Sequence, residues 1–194
     1  MSPLKGIGVN TFFVDSGSFF PIATTTVGSG GASSVTFTES GSAWSAYTHL
    51  QLRLIAQGNR ATYGRDEIKM QLNSDTGSNY ANHYLSGAGD TVDVGNSTSA
   101  TYMTLLGLSS TNASNVFGAM VIDFLDFKNT NKYKTIRQLN GIDHNGTIAG
   151  YGGVVGLGSG LWMNTNAITS IKVEPKNGTT FSEYSHFALY GIKA

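Results

Sequence analysis

Cysteine is absent from this chain, which rules out disulfides, zinc–thiolate sites and cysteine nucleophiles. Charge is scarce: Asp, Glu, Lys and Arg make up 12%, about half the ordinary share of roughly 25%. The 12 basic and 12 acidic residues cancel, so no electrostatic footprint points to nucleic acid or an anionic membrane. No stretch approaches the ~20 consecutive apolar residues of a membrane helix. The N-terminus has one early lysine, Lys5, but no apolar signal segment and no small-residue cleavage site. Long helices are missing too, since no segment carries an i, i+3, i+4, i+7 apolar stripe; a short helical turn is allowed near residues 40–47. These absences predict a soluble chain made without export, with neither nucleic acid nor membrane as partner.

What the chain has instead is alternation. Residues 48–57 place Leu50, Leu52 and Leu54 on one face, with His49, Gln51 and Arg53 between them. Residues 66–73 repeat the pattern with Ile68, Met70 and Leu72 against Lys69 and Gln71. Period-2 alternation predicts strands lying on a core with one face wet. The loop between them, 58–65, suits a hairpin or a sheet-to-sheet turn. Further strands are predicted at 34–39, 80–86, 101–108, 116–127, 133–140, 154–163, 168–174 and 185–193. Gly, Asn, Asp and Ser fill the intervals 73–79, 87–96 and 175–180 as turns. A length of 194 residues fits one domain, able to bury roughly 70% of its unfolded surface without metal or disulfide. The fold expected is all-β: a two-sheet antiparallel β-sandwich, jelly-roll-like, over residues 33–194. Residues 1–32 form an extended N-terminal arm or flanking strands, with Pro21 demoting the run 19–23 to an edge. Gly28-Ser29-Gly30-Gly31 follows as a joint.

One hairpin can be read in register. If 116–127 returns through the three-residue loop Asn129-Thr130-Asn131, Asp123 faces Arg137, Asp126 faces Lys134, Val121 faces Leu139 and Phe127 faces Tyr133. Each such pair is worth roughly 0.2–1 kcal/mol. Asp123 and Asp126 are then structural charges, and three residues apart on a strand they face opposite sides, which disqualifies them as a catalytic pair.

The remaining chemistry-bearing residues form no motif. His49, His83, His144 and His186 lack metal-ligand spacing, and no GxSxG elbow accompanies the serines. The oxygen-rich loops 73–79 and 90–93 lack the closing bidentate acid of a calcium loop. The glycine-rich run 150–160 lacks the GK[ST] ending of a phosphate loop, and its glycines suit bulges or close packing. No catalytic residue, metal or cofactor is therefore expected. Tyr63, Tyr151 and Trp162 are of a kind to stack on sugar rings, or equally to serve as interior or interface residues.

The residues Tyr47-Thr48-His49-Leu50-Gln51-Leu52-Arg53, Asn59-Arg60-Ala61-Thr62, Leu72-Asn73-Ser74-Asp75 and Asn79-Tyr80 resemble a β-sandwich family from tailed-bacteriophage structural modules. So do Asn129-Thr130-Asn131-Lys132-Tyr133-Lys134, Gly160-Leu161-Trp162, Ala167-Ile168-Thr169-Ser170-Ile171 and the closing Phe187-Ala188-Leu189-Tyr190-Gly191-Ile192-Lys193. The resemblance spans roughly 33–194 and implies a virion protein: capsid decoration or cement, head fibre or tail tip. The expectation is a non-enzymatic cement protein, made in the host cytoplasm and carried on the virion. Its partners would be itself, as a homotrimer, and the major capsid protein or other virion proteins. Phe12, Phe13, Phe19 and Phe20 are the expected capsid anchors, because Phe pairs outside a core need a partner. The alternative is a tail-tip or fibre module that binds a host receptor or glycan through Tyr151 and Trp162.

Overall fold

Alternation does put the leucines inside: Leu50, Leu52 and Leu54 are buried while Arg53 between them is exposed. The protein is described by a computed structural model covering residues 18–148 and 151–193, with backbone alone at 147, 148 and 151. Its strands are β1 Phe19–Thr26, β2 Val35–Thr38, β3 His49–Gly58, β4 Arg65–Leu72, β5 Tyr80–Ala88 and β6 Thr91–Ala100. They continue as β7 Met103–Ser110, β8 Gly118–Phe124, β9 Lys134–Ile148, β10 Tyr151–Trp162, β11 Ser170–Pro175 and β12 His186–Ile192. No helix occurs among the described residues. The segment before β3 is a chain of tight turns, with amides of Ala43, Ser45 and Tyr47 donating to carbonyls of Ser40, Ser42 and Trp44.

The larger sheet runs β1-β12-β3-β8-β9-β10-β5-β6 and the smaller β2-β11-β4-β7. They touch where the ends of β3 and β7 run parallel at Gln57–Ser109 and Gly58–Ser110. Taking the meander β8-β9-β10 as one position, the eight positions from β2 to β11 give first-eighth-third-sixth in one sheet and second-seventh-fourth-fifth in the other. That is jelly-roll order, with β12 and β1 added beside β3. The loop 58–65 is consequently a sheet-to-sheet turn, since β3 and β4 lie in different sheets.

One apolar core fills the space between the sheets, from Leu50, Leu52, Ile68, Met70, Met103 and Ile122 to Ile171 and Leu189. Aromatic pairs close its ends: Trp44 edge-on to Phe127 at 6.2 Å, and Phe181 edge-on to Phe187 at 4.9 Å. Strand β7 crosses the inner face of the meander, and glycines let it approach. A Cβ at Gly160 would strike the Met103 side chain, and one at Gly118 would strike the Gly107 carbonyl oxygen. On β10 the inward positions 156, 158 and 160 are all glycine. The first two make room for the side chains of Asn140 and Gln138. The glycine run is thus a packing device.

The predicted hairpin holds in the strands and fails in the loop. Val121 pairs with Leu139 and Asp123 with Arg137, whose guanidinium reaches the carboxylate at 2.7 Å. Asp126 does not meet Lys134. The connection spans residues 125–133, Asp126 takes a left-handed φ of 49°, and its carboxylate pairs with Lys132. Lys134 turns inside and donates to the carbonyls of Asn129, Lys132 and Thr165. A second correction concerns the interval 87–96, expected as turn: residues 91–96 belong to β6, Thr91–Ala100. The two-residue loop Gly89-Asp90 joins β5 to β6, and the φ of 61° at Gly89 suits such a loop.

The described part of the N-terminal region is a flanking strand. β1 pairs along β12, with its ladder interrupted between Pro21 and Ala23, as a proline requires at an edge. Gly28 to Gly31 closes a turn through the Gly31 amide and the Gly28 carbonyl.

The close approach of β7 has a measurable consequence. Gly118→Ala is expected to destabilise the fold by about 2–3 kcal/mol, because backbone must move to admit the methyl. Gly141→Ala, whose Cβ would come no nearer than 4.0 Å to the Val154 carbonyl oxygen, should stay within about 0.5 kcal/mol. Urea unfolding of the two variants measures the difference.

Candidate functional site: an aliphatic band on the outer face

Because side chains alternate, fixing the inner face of the meander fixes what its outer face shows. Two adjacent cross-strand rows on that outer face are aliphatic. In one, Val94, Leu85, Leu157, Leu139 and Val121 stand side by side on β6, β5, β10, β9 and β8. In the next, Val92, Gly87, Val155, Gly141, Ala119 and Ile55 continue the band onto β3. These positions are solvent-facing, with Val92 75%, Val155 62% and Leu139 53% exposed. Seven of the eight large residues, all but Val121, are 48–75% exposed and present roughly 700 Å² of largely aliphatic surface, beyond the ~300–600 Å² of the largest patch on a typical monomer. Neither row holds a charged residue on β6, β5, β10, β9 or β8; on β3 the exposed Arg53 continues the first row beside Val121.

A polar row borders the band. Asn96, His83, Ser159, Arg137, Asp123 and Gln51 follow one another across β6, β5, β10, β9, β8 and β3. Asp123 accepts from both Arg137 and Gln51, and Gln51 accepts from Arg53 Nε. The Arg53 guanidinium then lies between the rings of Phe19 and Tyr190, at 4.6 and 4.7 Å from their centroids. This chain of hydrogen bonds and cation–π contacts gives each charged side chain of the border a partner within the molecule.

The expected anchors are divided by the structure. Phe12 and Phe13 lie outside the described residues. Phe19, on β1, is exposed under Arg53, while Phe20 is partly covered by Tyr47, stacked at 5.8 Å, and by Lys193. Both rings have contacts within the chain. Trp162 is not available to a sugar: it is wholly buried, and its indole N–H donates to Asp75 at 2.7 Å. The Tyr151 side chain lies outside the described residues, and Tyr63 stacks on Arg60. The Asp75 loop, once weighed for calcium, spends its carboxylate on the Gly77 amide, Asn79 and Trp162. The histidines are dispersed. His49 accepts from the Asp126 amide, and His186 shares a hydrogen bond with Thr26. His83 is exposed on the polar row and His144 is mostly buried. Among the described residues, no group of three His or carboxylate ligands gathers. A shallow hollow of about 520 Å³ at the hairpin ends is lined by glycines, aliphatics and Asp143.

The band escaped the sequence reading because its aliphatic residues look like core until the register is known. The available signal was the doubly apolar character of 154–163, where inward glycines alternate with outward Val155, Leu157 and Leu161.

No protein-family model matches the chain, and no curated protein does. Among solved structures, a fructofuranosidase from Schwanniomyces occidentalis complexed with fructose is similar at a TM-score of 0.28 and 9% identity. The match takes in 91% of this chain and 35% of that one, so the chain spans about a third of the enzyme's length. A likeness that weak bears on neither fold nor activity.

The buried tryptophan can be tested through pH. Burial pushes the Asp75 carboxyl up, but hydrogen bonds from Trp162, Asn79, Gly77 and Asn164 outweigh it and hold the group below its ordinary 3.8. A carboxyl depressed in the folded state adds stability that is complete above its unfolded value and lost as pH falls through the folded one. Trp162→Phe should therefore cost about 1–2 kcal/mol at neutral pH. The deficit should narrow as pH falls beneath 3.8 and through the wild type's lowered folded value, where Asp75 protonates there as well. Denaturant titrations at several pH values check both.

Proposed function

We propose that this chain is a structural protein of a tailed-bacteriophage particle, made in the host cytoplasm and carried on the virion as an oligomer that decorates or cements the capsid. The observation that supports the reading is the aliphatic band, a wide uncharged surface on a chain with few charges anywhere. Burying such a face sacrifices little side-chain entropy or charge solvation, and contacts repeated over a lattice gain durability by avidity. The resemblance of residues 33–194 to phage structural modules supplies the setting. The partners are further copies of this chain and the major capsid protein or another virion protein. Phe19, exposed at the edge of the same sheet, extends the contact surface beyond the polar row.

The test is location and copy number. Quantitative mass spectrometry of purified particles, with cryo-EM of the same sample, should find the chain in many copies over the head. Absence from purified particles overturns the proposal. A few copies confined to the tail, together with glycan or receptor binding, would replace it with a recognition module.

A further inference from the structure

We infer that the aliphatic band is where two copies of this chain meet face to face, valine knobs of one copy seated in glycine hollows of the other. The inference rests on the reading of the chain as an assembly protein and names the partner of its exposed face. Across adjacent strands, about 4.8 Å apart, one row runs Val92, Gly87, Val155, Gly141, a sequence of knob, hollow, knob, hollow. Beside it Leu139 stands as a ridge between two grooves of about 320 Å³ each. One groove lies over Ala119, Gly141 and Val155, the other between Val121, Arg137 and Leu157.

Three features select a second copy as the occupant. From β6 to β8 the band is uncharged, so a partner of either sign gains no attraction there, whereas an apolar face of the same shape fits. A row in which knobs and hollows alternate is complementary to itself when turned by a two-fold axis, as an isologous contact demands. The aliphatic area, roughly 700 Å², is close to the ~800 Å² per partner of a stable interface. Two such sheets would pack about 10 Å apart with strands inclined by roughly 30°, leaving the Arg137–Asp123 row at the rim in water. The homotrimer expected from the sequence would need a head-to-tail contact instead.

Sedimentation equilibrium of the full chain decides it. The wild type should form dimers, and Leu139→Lys and Val155→Lys should each weaken dimerisation by at least about 100-fold, roughly 2.7 kcal/mol. Leu125→Lys, at an exposed apolar position in the β8–β9 connection, should leave it unchanged. The sharpest variant is Gly141→Val, which fills a hollow without adding charge at a position with room for a Cβ. Seated knobs predict at least about tenfold weaker pairing; indiscriminate stickiness predicts stronger pairing. Far-UV circular dichroism and thermal melts confirm that each variant folds. A wild type that stays monomeric, sediments as a trimer, or pairs as well or better with Gly141→Val overturns the inference, as does equal weakening by Leu125→Lys. A monomer found on purified particles would sink the pairing and leave the virion role standing. A dimer never found on particles would do the reverse.

Discussion

Strand β7 lying hard against the inner face of the β8-β9-β10 meander is the contact from which the rest of the molecule follows. It requires glycine at 107, 118 and 160, where a methyl group would collide with Asn140, the Gly107 carbonyl and Met103 respectively. Once those positions face inward, the two-residue period of the strand commits every neighbour to the outside. Leu157 and Val155 are exposed because Gly156 and Gly158 are not. The core and the aliphatic band are thus two sides of one register, and a change that slipped it would bury the band and expose the glycines.

The parts legible in the sequence were those governed by local alternation. Leu50, Leu52 and Leu54 declared β3, and opposite-charge and apolar pairing gave the β8–β9 register through Asp123–Arg137 and Val121–Leu139. The same reasoning failed a few residues on, at Asp126 and Lys134. There a left-handed residue and a buried ammonium held by three carbonyls decide the geometry, and neither leaves a pairing signal. Strand β6 was missed for a related reason: no residue of Thr91–Ala100 is buried, so no core imposes an apolar alternation on it. Only the Gly89-Asp90 turn, followed by Val92 and Val94, announces a hairpin.

The candidate surface was less legible still, because it is a property of rows that cross the strands. Leu85, Leu139 and Leu157 are far apart in the chain, and each alone reads as core. Their adjacency depends on the order β9-β10-β5, which involves a connection between sheets that no local pattern encodes. Trp162 shows the converse: an aromatic beside a glycine run looks like a sugar platform. Its burial comes from the Asp75 loop folding back to accept its N–H.

Where association can occur is narrowed by how the sheet edges are built. Exposed edge strands invite pairing with other chains, and proteins blunt them with proline, bulges, brevity or inward-pointing charge. The larger sheet ends at β1, which carries Pro21 and an irregular register. Its other end is β6, where Asp93 lies opposite Ser86 on the inward row and meets Arg65 and Tyr84. The smaller sheet ends at β2, only four residues long. Each of these edges carries a device that opposes strand addition, while the outer face over β5, β9 and β10 carries none. With these edges guarded and roughly 700 Å² of aliphatic face open, the pairing proposed above would run through the face, by side-chain packing in place of a continued hydrogen-bond ladder.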